Sequence, residues 1–588
     1  MILQALVSYY EDLVKKGEIA PPGWGKNKVT FALDLDDQGQ IIQVISQKTQ
    51  QTKGKKTVLA PKEILVPMPV KRSGVGATAN FLCDHSGYLL GVDNKGNPER
   101  TARCFAACKE LHEQILSEMD TPEAKALLRF FDTWDPTQAP NHPVLQEYWE
   151  ELISGCNLIF YYYEKDIQAT AEIREGWERH YLTNESQSGP EMVCLVTGKK
   201  GPVEATHPFI KGVRGAQSSG AALVSFNAPA FCSYGKEQNY NAPLSQYAAF
   251  AYTTALNHLI ADREHTYYVG DTFVLLWAQG AEKQYTGLMG MSLLGGNNRN
   301  GEQEISEADL QEKMKLLTQG RAIEFDGAML RPDQTFYVLG LAPNAARISV
   351  RFFLKNSFGA MMKNVAAHYE RINVARPKYD PYDRIPLWKL LGETVNQKSK
   401  DKTPAHGMAG DVLRSILMNE PYPATLLNGV MLRIRAEHEV TRGRAAIIKA
   451  YYLKRPNKDV PEKEVLTVAL NKESTSIPYQ LGRLFAVLEQ IQETANPGLN
   501  TTIHDKYFNS AAATPGTIFP VLINLAQKHL RKIKDGQNVY LKKKIGEVTD
   551  QLGETFPNRM NLAEQGAFQL GYYHETQARY QGKNKEEE

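Results

Sequence analysis

At 588 residues the chain exceeds what one ordinary hydrophobic core organises, so roughly three to four domain-sized units are expected. Hydrophobic residues at 42 % and charged residues at 23 % are ordinary globular values and exclude a disordered or fibrous chain. The formal net charge of +2, from 68 basic and 66 acidic side chains, excludes a global electrostatic pull toward nucleic acid, so any such signal must be local.

The first residues reach Glu11 and Asp12 without a basic region or an unbroken apolar run, which argues against a signal peptide. No window approaches the ~18 consecutive apolar residues of a membrane span, and cytoplasm is the expected compartment. Leu3, Leu6, Val7, Tyr10, Leu13 and Val14 recur at helical spacing before Gly17, which predicts an opening amphipathic helix. The apolar runs 29–33 and 41–45, with a polar Gly39-containing stretch between them, predict a hairpin. The polar, basic residues 50–56 read as a loop or arm.

Thr121 is a fitting N-cap with Pro122 at the first helical position, so a helix to about Thr133 is expected, and another over 245–261. The runs 336–340 and 348–353 read as strands about a turn at Ala342-Pro343-Asn344. Proline and charge concentrate in 374–405, the expected hinge. Beyond it the pattern turns helical: Leu481, Leu484, Phe485, Leu488 and Ile491 keep one face, and Pro497 and Pro515 punctuate successive helices. The expected fold class is therefore an α+β amino-terminal region, 1–375, followed by an all-α carboxyl-terminal helical bundle, 376–588, with a frayed tail over 582–588.

The signatures of common catalysts are missing from the sequence: no P-loop glycine-lysine pattern, no Gly-x-Ser-x-Gly and no His-Glu-x-x-His. Gly74-Val75-Gly76 followed by Ala79 only loosely matches a dinucleotide fingerprint, because Pro67 and Pro69 spoil the preceding strand, and a loop is expected there. Six cysteines are too few for a disulfide scaffold. Cys104, Cys108 and His112 share a helical face but lack a fourth zinc ligand, so buried thiols beside a packed histidine are expected, and Cys194 lacks the partner cysteine of a zinc knuckle. His504-Asp505, with His438 and Asp550, forms the sharpest enzymatic alternative, a metal-dependent phosphohydrolase or nuclease of the His-Asp type; the plainer reading makes Asp505 a helix-start residue. No metal and no cofactor are expected.

Two segments point to nucleic acid instead. Residues 206–227 mix glycines and serines with Lys211, Arg214, Gln217, Ser218, Ser219 and Asn227, and Lys236 follows. Glycines permit close approach, cations hold phosphate, and Gln, Asn and Ser read base edges. Between 528 and 544 seven cations, Lys528, Arg531, Lys532, Lys534, Lys542, Lys543 and Lys544, face one carboxylate, Asp535. Such a patch neutralises several phosphates or is a solvated helix face.

Ile19-Ala20-Pro21-Pro22-Gly23-Trp24, then 80–84, 210–227, 233–238 with Asn241-Ala242-Pro243, 339–347, 444–451 and 479–489 follow in order along the chain. Together these stretches resemble the large subunit of the type I-C CRISPR surveillance complex, a Cascade. The resemblance implies a non-catalytic subunit that reads the protospacer-adjacent motif (PAM) in duplex DNA, helps open it, holds the displaced strand and docks a helicase-nuclease. The crRNA-bearing backbone subunits, the crRNA-end subunit, a small subunit and target double-stranded DNA are the implied partners. PAM-side contacts are expected from Lys211, Arg214, Gln217, Ser218, Ser219, Asn227 and Lys236, with Arg72 and Asn80 second, and displaced-strand contacts from the Lys528 to Lys544 cluster. Residues 465–588 resemble a small subunit, which in this family can arise by translation from an internal start. With no methionine between Met431 and Met560, such a start is non-AUG near 465–468, or else Met431 itself. An RNA-binding scaffold without DNA recognition is the remaining alternative.

Overall fold

The computed structural model describes residues 2–53, 56–69, 77–185, 189–294, 305–455 and 461–582. The chain forms two compact units: Met1–Pro208 with Val224–Leu256, and Phe209–Leu223 with Asn257–Glu588. Residues 375 and 376, the boundary expected from sequence, lie inside the second unit.

In the first unit, helix α1 (Ile2–Lys15) buries Leu6, Val7, Tyr10 and Leu13, the face its periodicity picks out, and Gly17 at φ +71° ends it. Strands β1 (Trp24–Val29), β2 (Phe31–Leu35), β3 (Ile41–Ser46), β4 (Lys48–Lys53) and β5 (Lys56–Pro67) follow. The β2–β3 hairpin is the expected one, its turn held by Asp36 Oδ1, which accepts from the N–H groups of Gln38 (2.9 Å) and Gln40 (2.8 Å). The stretch expected to be a loop or arm instead contributes β4, which pairs antiparallel with β5, itself paired with β1. A strand this polar carries no alternation to betray it; its partner supplies the order.

β2 lies at the heart of a mixed sheet, antiparallel to β3 and parallel to β7 (Asn157–Tyr162), with β6 (Asp84–His85) beyond β7. Every residue of β2 is buried, as expected of a strand covered on both faces. Phe31, Leu33, Leu35, Leu158 and Phe160 join the larger core on one face, while Ala32 and Ile159 pack with Val29, Val66 and Cys83 on the other. The helix Pro122–Thr133 starts where expected, Thr121 accepting from the Ala124 N–H.

The second unit is built on a four-stranded antiparallel sheet of Thr266–Val269, Thr272–Ala278, Thr335–Asn344 and Arg347–Ser357. The last two strands are longer than expected, and the turn falls at Ala345-Ala346 instead of 342–344, with Ala345 at φ +52°. From Phe358 onward the described residues form helices and connecting loops, giving the expected α+β start and helical end. Residues 374–405 are not a bare linker: Val374, Ile385, Leu387, Leu390 and Leu391 enter the core, and buried Arg442 pairs with Asp380 at 3.1 Å. The helices Ile477–Ala495 and Leu562–Gly582 pack backbone against backbone at two glycines. A Cβ at Gly482 would lie 1.9 Å from the Phe568 carbonyl oxygen, and one at Gly571 2.1 Å from that of Tyr479.

Candidate nucleic-acid interface

The glycine- and serine-rich segment of the second unit is a closed loop. Ile210 and Ala221 exchange backbone hydrogen bonds at 2.9 and 2.8 Å, which ties its ends together. Asn257 fixes the entry: its Oδ1 accepts from the Lys211 N–H at 2.8 Å and its Nδ2 donates to Phe209 O at 3.1 Å. The strand hairpin fixes the rest, since Gln217 N–H donates to Ala345 O (3.2 Å), Ala222 N–H to Ala346 O (2.9 Å) and Ile348 N–H to Ala222 O (3.0 Å). Gly215 and Gly220 take φ +87° and +113°, where side chains are strained, and Phe209 lies 2.6 Å from where a Gly220 Cβ would stand, so both positions favour glycine.

With Val213 buried beneath as an anchor, Lys211, Arg214, Gln217, Ser218 and Ser219 are all exposed on this one loop. Two cations and three short hydrogen-bonding side chains thus share a surface whose backbone is already ordered, which lowers the entropy lost on binding. Asn257 and the hairpin turn, the residues that hold the loop, escaped the sequence reading. Asn257 lies 46 positions from Lys211, and nothing local in the sequence joins them.

The remaining candidates are distributed elsewhere. Asn227 and Lys236 belong to the first unit and are exposed. Asn80, expected at the DNA surface, is 7 % exposed, and its N–H donates to Asp84 Oδ2 at 2.9 Å; it sits in the interior because the chain turns there into β6. Arg72, together with Gly74 and Gly76 of the loose glycine pattern, lies outside the described residues.

In the basic cluster Lys528, Arg531, Lys532, Lys534, Lys542 and Lys543 are exposed on and between the helices Pro515–Leu530 and Asp535–Thr549. Lys544 differs: its side chain is 17 % exposed and donates to Glu575 Oε1 at 2.8 Å, while buried Arg483 donates to the other oxygen at 3.0 Å. Lys544 is thereby tied to the bundle as the partner of Glu575.

The metal and thiol candidates have structural occupations. His112 Nδ1 lies 2.7 Å from Cys108 O, and its Nε2 accepts from the Leu82 N–H at 3.0 Å, so both ring nitrogens are engaged. Burial pushes this histidine down to about 4, keeping it neutral. Asp505 closes a capping box with Thr502 at the start of Ile503–Ala513, the plainer of the two expected roles. His504 Nδ1 faces Glu489 (3.1 Å) and the Tyr572 hydroxyl (3.0 Å), while His438 Nε2 accepts from Asn509 at 2.9 Å. Cys194 sits in a knuckle-like turn, Gly198 N–H donating to its carbonyl at 2.9 Å. Burial raises its thiol, but donors at Ser245 and Thr197 outweigh that and bring it down to about 7. Among the described residues no group of three or more His, Cys, Asp or Glu side chains is placed to hold a metal, and no helix is long and apolar enough to cross a membrane.

Comparison with curated proteins finds no match. Comparison with protein families finds one that covers residues 6–580, nearly the whole chain and both compact units, described as CRISPR-associated protein (Cas_Csd1). The chain therefore belongs to the CRISPR-associated Cas_Csd1 family.

Proposed function

We propose that the chain is the non-catalytic large subunit of a type I-C Cascade, reading the PAM in duplex DNA while crRNA base pairing supplies the longer sequence specificity. The observation that carries this reading is the closed loop with Lys211, Arg214, Gln217, Ser218 and Ser219 exposed on a pinned backbone. Lys211 and Arg214 hold phosphates and Gln217, Ser218 and Ser219 approach base edges; Asn227 and Lys236 are proposed separately as DNA contacts. Support for unwinding and recruitment of a helicase-nuclease belong to the same role, as do the crRNA-bearing backbone, crRNA-end and small subunits as partners and the cytoplasm as the compartment. The six exposed cations between Lys528 and Lys543 line the path of the displaced single strand as an electrostatic groove. Residues 465–588 double as a small subunit where translation begins internally.

Replacing Lys211 and Arg214 together tests the central claim. In an assembled complex the double substitution lowers target affinity and reduces the slope of log affinity against log salt by about two phosphate contacts. Unchanged affinity and slope would refute the reading.

A further inference from the structure

The loop that carries Lys236 presents the most exposed large hydrophobic side chain of the described residues. Tyr234 is 98 % exposed, yet its backbone is fixed. Asn241 holds the loop from within: its Oδ1 accepts from the Ser233 N–H at 2.9 Å, and its Nδ2 donates to the carbonyls of Lys236 (3.0 Å) and Gln238 (2.9 Å). Lys236 N–H donates to Ser233 O at 3.0 Å, and buried Asn239 anchors the far side through its N–H to Ala205 O at 3.1 Å. Tyr234 takes φ +55°, followed by Gly235 at +68°, with Gln238 at +46°. A left-handed conformation at a bulky aromatic residue is disfavoured by roughly 1–2 kcal/mol and persists only where the surroundings enforce it.

An aromatic ring carried into water on an ordered backbone has its flat face to offer. The exposed residues flanking it are Ser233, Gly235, Lys236, Glu237 and Gln238, all polar or without a side chain, and the nearest exposed large apolar side chain in sequence is the single ring of Phe231, 45 % exposed. A protein-docking surface needs a contiguous apolar patch of a few hundred Å², which these residues do not make. Nothing lies within 4 Å of where a Cβ on Gly235 would stand, so a planar partner has room beside the ring. Every nucleobase has such a face, and stacking on a protein aromatic is tolerant of sequence.

We propose that Tyr234 is a stacking residue for a nucleobase of the target DNA, held ready by the Asn241 clamp, with Lys236 serving the adjoining phosphate. The inference rests on the DNA-reading role proposed above. Glu237 offsets Lys236, so the loop itself is close to neutral and its contribution comes from stacking more than from charge. That difference separates the two claims experimentally.

Assembled complexes containing wild-type chain, Tyr234→Ala, Tyr234→Phe, Tyr234→Trp or the Lys211→Ala/Arg214→Ala pair are titrated with target duplexes across a salt series. One set of duplexes carries single 2-aminopurine substitutions along the PAM-side region. Tyr234→Ala is expected to weaken binding about tenfold with an unchanged salt slope, whereas Phe and Trp stay within about twofold. One 2-aminopurine position should be quenched by wild type and relieved by Tyr234→Ala. Wild-type affinity for Tyr234→Ala, with the double substitution still defective, overturns the stacking role and leaves the DNA reading intact. Wild-type behaviour of both removes the two together. A defect as large in Tyr234→Phe overturns stacking in favour of a hydroxyl contact. Loss of the Tyr234→Ala chain from the complex on size-exclusion chromatography overturns it in favour of a protein contact.

Discussion

Replacing Gly482 by alanine should be among the most damaging single-methyl insertions in the molecule. The new Cβ would meet the Phe568 carbonyl oxygen at 1.9 Å and the backbone of Tyr572 at 2.8 Å, and neither obstacle can rotate away. Relief requires the helices Ile477–Ala495 and Leu562–Gly582 to part by about 1.5 Å, a gap that forfeits a large share of the contact energy along the seam. Polar pairs span the same seam: Arg483 to Glu575 at 3.0 Å, Tyr572 to Glu489 at 2.7 Å and Tyr479 to His574 at 2.9 Å. Overpacking alone costs about 1–3 kcal/mol, and loosening a buried ion pair adds to it, so about 4 kcal/mol is expected in all. Urea unfolding of the purified chain measures the effect, with Gly546→Ala as the control. Gly546 lies on the helix Asp535–Thr549 with nothing within 4 Å of a Cβ, and alanine there should stabilise by up to about 1 kcal/mol. Coincident midpoints for the two variants would refute the argument from close approach.

Acid should destabilise the fold well above the carboxylate range. Burial pushes His112 and His574 down to about 4 and His368 down to about 3, whereas in the unfolded chain each binds a proton near 6.5. The unfolded state therefore binds more protons as pH falls below 6.5; the stability is complete above that pH, and by pH 5.0 each histidine has withdrawn about 2 kcal/mol, which a urea midpoint unchanged between pH 7.5 and 5.0 would contradict. Within the basic cluster, Lys544→Ala should lower stability by about 1 kcal/mol through the weakened Glu575 pair, while Lys542→Ala and Lys543→Ala leave the urea midpoint in place and reduce the salt slope of DNA binding; equal behaviour of all three would count against the division. Asp505→Ala should cost about 1 kcal/mol through the lost capping box and leave DNA targeting intact; metal-dependent cleavage by the purified chain, abolished by this substitution, would instead revive the His-Asp reading.

What the sequence disclosed follows the range of the forces involved. Periodicity and caps are local, so the opening helix, the helix after Thr121, the β2–β3 hairpin and the buried face from Leu481 to Ile491 were legible. β4 was not, because its order comes from pairing with β5 and not from any alternation of its own. The hairpin turn slipped from 342–344 to Ala345-Ala346 because proline and asparagine are turn formers only where pairing permits; here Pro343 and Asn344 still pair with Ile348 and Arg347. Asn80 and Lys544 carry polar side chains that composition assigns to the surface, and only three-dimensional packing reveals the first as interior and the second as the partner of Glu575.

The same distinction explains why a chain of net charge +2 can be read as a DNA-binding subunit. Charge that acts at a distance sums over the molecule and here nearly cancels, so long-range steering is weak. Charge that acts in contact depends on placement. Lys211 and Arg214 stand on a loop whose shape is dictated by neutral groups, the Asn257 amide and the carbonyls of Ala345 and Ala346. Asn241 plays the equivalent part beneath Tyr234. The groups that define each proposed contact are thus uncharged; Asn257, Ala345 and Ala346 lie far in sequence from the cations they position, whereas Asn241 acts within its own loop. Replacing Asn257 by alanine leaves every cation in place, so a loss of target affinity in that variant would measure what loop order contributes beyond charge.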